Sequence, residues 1–166
     1  MPAVEFIVVE ILTGNRPGAS IGGTAFLGIG GREFRLESRF LDFQTGGLNR
    51  FTLGATVVET GNDRLVRPEI RAFNDPQQQD QLLSETLHRF PAYIRYAPRA
   101  ADENWNIERV TVEVFADVGT VGMDHIIRRV ALWQILVEPE NHLWLGNRSG
   151  LYLYLEPILA QLPVIP

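Results

Sequence analysis

The sequence predicts an all-β protein, an antiparallel β-sandwich in which two sheets face each other across one core. Two observations lead to this prediction. About nine short apolar or alternating segments follow one another with turn signals between them, which is typical of sandwiches. In the clearest segment, Val110, Val112 and Val114 alternate with polar residues. A period of two with β-branched residues on one side indicates a half-buried strand, so we expect these valines to line the space between the sheets.

The first half of the chain divides into strands at glycine-rich turns. An almost continuously apolar run, 4–12, predicts a central strand covered on both faces, and it ends in a turn cluster at 13–18. Gly30 and Gly31 predict a tight hairpin, because glycine reaches positive φ without a steric penalty. The other strands expected in this half are 24–29, 32–38, 48–53, 56–58 and 65–73.

One segment of the second half predicts a helix. Residues 74–76 form an N-cap signal with proline at the first helical position, and 77–90 carries apolar residues at i, i+4 and i+7. The range 126–137 fits both a helix face and a long strand, and its β-branched content favours a strand. The last strands are expected at 93–96, 105–115, 143–145 and 151–155, with a turn at 119–122.

The segment that begins at Trp105 contains a change of register. Trp105 and Ile107 are two residues apart but out of phase with Val110. A shift of one residue near Glu108 and Arg109 is therefore required, and a β-bulge supplies it. We expect Trp105 to fill the core at the mouth of this strand.

Composition and charge limit the class of protein. A length of 166 residues fits a single domain, 1–166, and no apolar run is long enough for a transmembrane helix. The net charge of −5 without a basic block argues against nucleic acid as a partner. Without cysteine, disulfides, thiolate zinc sites and cysteine nucleophiles are excluded. This composition suits a cytoplasmic protein, and peripheral association with a membrane is a further expectation.

Several short motifs, in order along the chain, resemble those of a PLAT domain, also called the lipoxygenase homology domain. They are Thr13-Gly14 with Gly23-Thr24, Phe34-Arg35-Leu36, Phe43-Gln44-Thr45-Gly46, Trp105-Asn106-Ile107-Glu108-Arg109-Val110-Thr111-Val112 and His142-Leu143-Trp144-Leu145. The resemblance implies a PLAT/C2-like sandwich of two four-stranded sheets, with insertions at about 61–93 and 118–137. It also implies a non-catalytic binding module for membrane lipid or a protein partner.

Calcium is the one cofactor that the resemblance raises. Calcium-binding members tend to have an acid just after the Gly-Thr motif, where this chain has Ala25, and the loop 15–23 has no carboxylate. Calcium favours carboxylate oxygens, so we expect no cofactor. The alternative is a calcium site built from loops that meet at one end of the sandwich, with oxygen donors from Asp42, Asn49, Asp102 and Glu103.

The primary functional hypothesis is peripheral membrane engagement through loop tips. Ile21 and Leu48 are apolar residues in glycine-flanked loops, where polar residues are usual, and Arg16 and Arg50 lie close to them in sequence. These side chains would form an apolar tip beside basic groups that attract lipid headgroups. The alternative is that Ile21 and Leu48 tuck under their loops as extensions of the core.

Two other functions are open. The first is a protein-docking or assembly module that uses a sheet face or edge with Trp144, Tyr152 and Tyr154, because aromatic faces suit interfaces. The second is a jelly-roll carbohydrate-binding module or enzyme with the same strand pattern. No catalytic residue is predicted, because the serines lie in no G-x-S-x-G turn and the histidines lack metal-ligand spacing.

Overall fold

The computed structural model describes residues 2–19, 21–37, 41–54, 74–78, 81–122, 124–137 and 143–158. These residues form ten antiparallel β-strands and a short 3₁₀ helix, Ser84–Arg89. The strands are β1 Val4–Thr13, β2 Thr24–Ile29, β3 Arg32–Leu36, β4 Leu48–Leu53, β5 Tyr93–Ala97, β6 Asn104–Val121, β7 Asp124–Leu136, β8 Trp144–Gly146, β9 Tyr152–Tyr154 and β10 Glu156–Pro157. The predicted all-β sandwich is confirmed.

The strands divide into two sheets. The larger sheet has the order β10-β7-β6-β1-β4, and β8 also pairs with β6. The smaller sheet has the order β3-β2-β5-β9. The resemblance implied two sheets of four strands, whereas the larger sheet has six. The difference comes from β8 and β10, two very short strands that pair with β6 and β7.

The core lies between the two sheets. Val110, Val112 and Val114 are fully buried, as predicted, on a strand that pairs with β1 on one side and β7 on the other. They share one hydrophobic cluster with Leu27 and Ile94 of the smaller sheet. The alternation of β6 therefore positions the dry face of the larger sheet against the smaller one.

The predicted bulge and core tryptophan are both confirmed. Leu12 pairs with Arg109, but the next residue of β1, Thr13, pairs with Ile107, so Glu108 is the extra residue. The bulge brings Trp105 into the core, where it is fully buried. Its indole N–H donates to the Thr13 hydroxyl at 3.1 Å, so the only polar atom of the ring is satisfied.

The helix prediction is correct in kind but wrong in extent. Of the described residues in this range, only Ser84–Arg89 is helical, and as a 3₁₀ helix. The backbone before it is held elsewhere, because the Val4 N–H donates to the Leu82 carbonyl (2.9 Å) and Leu83 forms a β-bridge with Ala3. Within the expected N-cap signal, Asp75 accepts from the Gln77 N–H (2.9 Å), but no helix follows there, and Asn74 bonds the backbone of β3.

The ambiguous range 126–137 lies in strand β7, which confirms the favoured interpretation. Strand β6 runs through Gly119 and ends at Val121, so the turn expected at 119–122 is confined to its end. Trp133 of β7 is buried in the core, within the range interpreted as the second insertion. The strands expected at 56–58 and 65–73 lie outside the described residues.

Candidate functional site

Loops from distant parts of the chain meet at the Trp105 end of the sandwich. The loop after β1 contacts two others, because the Gly14 N–H donates to the Asn106 carbonyl (2.9 Å) and the Gly46 N–H donates to the Gly14 carbonyl (3.0 Å). The side chain of Asn147 donates to the Ala101 carbonyl (3.1 Å), which joins the turn after β8 to the loop before β6. The candidates Arg16, Asp102 and Glu103 lie in these loops.

The predicted membrane tip forms only in part. Ile21 is partly buried and packs against the core, so it is an extension of the core and not an exposed tip. A hydrogen bond attaches its loop to β6, because the Asn106 N–H donates to the Ala19 carbonyl (3.4 Å). Leu48 is 53% exposed at the start of β4. Arg16 and Arg50 are partly buried, and each has interaction partners.

Two further leucines are exposed at this end. Leu41 is 83% exposed in the segment that leads into β4, and Leu136 is exposed at the end of β7. Leu48, Leu12, Arg109 and Leu136 form one cross-strand row on the outer face of the larger sheet. Three strand spacings place Leu48 and Leu136 about 14 Å apart. We refer to Leu41, Leu48 and Leu136 as the leucine rim.

Charges of both signs surround the leucine rim. Arg109 pairs with Glu10 at 2.9 Å on the same outer face. Arg99 and Arg148 are exposed in loops of this end, and Asp102 is exposed beside them. Neither sign dominates, so the loop end is not a strongly basic patch.

Three of the four residues considered for calcium, Asp42, Asn49 and Glu103, form side-chain hydrogen bonds within the protein. Asn49 accepts from the Phe43 N–H (2.8 Å) and donates to the Asp42 carboxylate (3.1 Å). The first bond holds Phe43 at a φ of 55°, an uncommon conformation for a residue other than glycine. The described residues contain no group of three or more acidic or histidine side chains suited to a metal. The four candidates therefore form no ready-made cluster of this kind among the described residues.

Glu103 organises the loop before β6. Its carboxylate accepts from the Arg99 N–H (2.7 Å) and the Tyr96 hydroxyl (3.2 Å). The Arg99 backbone bond is the main cause that lowers the pKa of Glu103. Burial, followed by the nearby Glu103 charge, raises the pKa of Tyr96. Asp102, the residue before Glu103, is exposed.

The predicted partner face also forms in part. Tyr152 and Tyr154 are 49% and 60% exposed on β9, with near-parallel rings whose centroids lie 6.3 Å apart. Tyr93 of β5 contacts both rings edge-on, at 5.3 and 6.1 Å. Trp144 is partly buried on β8, which pairs with β6 of the other sheet. Sequence reasoning missed Tyr93, although its place on an alternating strand could have indicated it.

A hairpin projects from the opposite end of the sandwich. Beyond Asp117, strand β6 is flanked only by β7 within the described ranges. We refer to residues 118–127 as the arm. Its exposed apolar residues are Val118, Val121 and Ile127. Asp117 at its base accepts from the Gly119 N–H and pairs with His125, and both contacts lower the pKa of Asp117.

None of the helices among the described residues is long and apolar enough to cross a membrane. Of the histidines, His88 lies against the Trp133 ring at 5.3 Å and His125 belongs to the arm. His142 lies outside the described residues. These histidines serve packing and an exposed ion pair, and neither joins a cluster with metal-ligand chemistry.

Comparison with known proteins supports the fold. No family model matches the sequence, and no curated protein matches it. The fold is similar to part of the alpha toxin from Clostridium absonum, with a TM-score of 0.52 and 15% identity over 93% of this chain and 32% of the toxin. Coral 8R-lipoxygenase, whose calcium activation proceeds via a C2-like domain, gives a TM-score of 0.48 and 14% identity over 92% of this chain and 17% of the enzyme. The chain thus spans a third or less of these proteins, and the likeness to the toxin shows a shared β-sandwich fold.

Proposed function

We propose that this chain is a non-catalytic, PLAT-like module that engages a membrane surface peripherally through the leucine rim. The observation that supports the proposal is the exposure of Leu41, Leu48 and Leu136 at one end of a rigid sandwich. Single exposed leucines are ordinary, but several at one end are typical of an interaction site. The order of motifs along the chain and the fold shared with part of a toxin support the PLAT-like assignment.

The magnitude of the apolar contact favours reversible binding. Fully burying one leucine side chain contributes roughly 1.5–3 kcal/mol, so Leu41 and Leu48 together contribute about 3–6 kcal/mol. A dissociation constant of 1 mM corresponds to about 4 kcal/mol, so a contact of this size gives weak, peripheral association. Since neither charge sign dominates the loop end, we expect zwitterionic lipid to suffice and salt to have little effect.

We also propose that membrane binding needs no calcium. Asn49 and Glu103, two of the candidate ligands, are committed to backbone donors that shape their own loops. A bound calcium ion would have to replace these bonds, and the two loops would then lose the conformation that the bonds hold. Binding in the presence of a calcium chelator should therefore equal binding without it.

Flotation with phosphatidylcholine vesicles tests the proposal. The double variant Leu41→Asp/Leu48→Asp should lose about ten-fold or more of the floating fraction, because both contacts are replaced by charge. Val121→Asp is the matched control, since Val121 is an exposed apolar residue of the arm at the opposite end. Equal flotation of wild type and the double variant would remove the leucine rim from the proposal, and absence of flotation by the wild type would remove membrane binding itself.

A further inference from the structure

The two edges of the smaller sheet differ in whether another segment covers their backbone groups. At the β3 edge, the Arg35 N–H donates to the Asn74 side chain and that side chain donates back to the Arg35 carbonyl, both at 2.8 Å. Asn74 therefore takes the place of a pairing strand. Arg32 of the same edge donates to the carbonyls of Asp75 (3.2 Å) and Gln78 (3.1 Å). Unpaired sheet edges are templates for other chains, and proteins commonly cover them in this way.

The β9 edge has no such cover among the described residues. Leu151 and Leu155 bond the neighbouring β5 segment through backbone contacts of 2.9 and 2.8 Å, and Leu153 lies opposite Ile94. Backbone groups alternate in direction along an antiparallel strand. The N–H and carbonyl groups of Tyr152 and Tyr154 consequently point away from β5. We refer to these four groups as the open edge.

Aromatic side chains stand beside the open edge on the outer face of the sheet. Tyr93 is fixed in place, because its ring lies across Gly28, where no side chain would fit, and its hydroxyl donates to Glu33 (3.1 Å). Glu33 also accepts two bonds from Arg95, at 2.7 and 2.8 Å. The charges of this face are therefore paired with each other, and Tyr93 is held in place before any partner arrives.

We propose that the open edge binds an extended peptide segment of a partner protein, which adds to the smaller sheet as a fifth strand beyond β9. Strand addition needs a row of free N–H and carbonyl groups for affinity and side-chain contacts for selectivity. The open edge supplies the backbone groups. Tyr93, Tyr152 and Tyr154 supply the side-chain contacts. Because the neighbouring charges are paired, apolar and aromatic side chains of the peptide fit this face better than charged ones.

The register of β9 sets a rule for the peptide. The residues that lie opposite Tyr152 and Tyr154 would exchange both backbone bonds with them, so each must have its own N–H. Proline lacks that donor and is excluded from both positions. The residue between them, opposite Leu153, directs its N–H away from β9, so proline costs less there. A peptide bound only through ring contacts would show no such alternation.

Selection and hydrogen exchange test the proposal on the whole chain. A displayed library of random eight-residue peptides is selected against the protein, and the best binder is titrated against variants. Tyr154→Ala removes the ring and keeps the N–H, whereas Tyr154→Pro removes both. We expect Tyr154→Ala to weaken binding about five-fold or more and Tyr154→Pro to weaken it about five-fold further. Bound peptide should also slow exchange of the Tyr152 and Tyr154 amides about ten-fold or more.

Each alternative outcome overturns the proposal. If selection yields no binder, or if the binder leaves the Tyr152 and Tyr154 amides unprotected, the open edge is not a peptide site. If the chain forms a dimer that Tyr154→Pro dissociates in sedimentation, the occupant is a second copy of this chain. A Val121→Ala variant, in the arm and outside the smaller sheet, should retain the full affinity and serves as the control.

Discussion

At the scale of single residues, Trp105 links the loop end to the core. Its ring is fully buried and packs against Phe43 at 4.7 Å and Tyr96 at 5.8 Å between ring centroids. Replacing a buried tryptophan by alanine leaves a large cavity, so Trp105→Ala should lower the free energy of unfolding by about 3–5 kcal/mol. Urea denaturation measures the change. Trp144→Ala, at a partly exposed position, should cost clearly less, and equal losses would contradict the central place given to Trp105.

Glu103 makes the stability of the loop before β6 dependent on pH. Its folded pKa is lowered, so its contribution is present above the ordinary carboxyl pKa and is lost as pH falls through the folded pKa. We expect Glu103→Gln to lower the melting temperature at pH about 7 and to have a smaller effect at pH about 3. Thermal denaturation of both proteins at several pH values between these two measures the difference in melting temperature. Asp102→Asn, with no side-chain bond among the described contacts, should change little at either pH.

Individual residues differ in how far sequence predicts them. The burial of Val110, Val112 and Val114 follows from alternation, and the extra residue Glu108 follows from the phase of Trp105. The burial of Ile21 does not follow from any local pattern. It depends on the contact of its loop with Asn106, which is remote in sequence, and such contacts are fixed only by the tertiary fold.

At the scale of elements, the arm is the least supported part of β6 and β7. An isolated two-stranded hairpin is marginally stable in water, and the arm has no third strand beside it among the described residues. We expect the amides of 118–121 to exchange with solvent at least about a hundred-fold faster than those of 110–114. Hydrogen exchange followed by mass spectrometry or NMR measures both segments in one sample. Equal protection would indicate a covering element for the arm.

Elements were predicted well where periodicity was strong and poorly where a backbone partner was decisive. The bounds of β2 and β4 follow directly from alternation between glycine turns. The helix expected at 77–90 shrinks to Ser84–Arg89 because Leu82 pairs with the start of β1. Asn74 belongs to the predicted N-cap signal, but its side chain bonds the edge strand β3, and a sequence pattern does not distinguish the two uses.

At the scale of the whole molecule, both sheets contribute to one hydrophobic cluster, from Val9 and Phe51 of the larger sheet to Phe34 and Tyr96 of the smaller one. A shared core of this kind predicts a single cooperative unfolding transition. Tryptophan fluorescence, which reports the buried Trp105 and Trp133, should follow the same urea curve as far-ultraviolet circular dichroism. Separate midpoints would show that one sheet survives without the other.

The sandwich class could be predicted from strand number and turns, but the arrangement of the sheets could not. Nothing in the local sequence indicates that β1 lies between β4 and β6 or that β9 ends a sheet. The leucine rim shows the same limit, because Leu48 and Leu136 share a row only through three successive strand pairings. Of the residues that the sequence suggested for a membrane tip, Leu48 lies on the leucine rim and Ile21 packs against the core, and local sequence did not single out Leu41 or Leu136.

The chain passes from the smaller sheet to the larger one between β9 and β10, and the strands at this point should resist a mechanical pull less than β1 does. β1 is bonded along both sides, so tension along it must shear two ladders at once. β10 and β9 hold only two and three residues and would peel away pair by pair at low force. A pull from beyond Ile158 would thus detach the tyrosine-bearing strand while the rest of the sandwich stays folded. Under the two proposals made above, such tension would release a peptide held at the open edge before it unfolded the leucine rim.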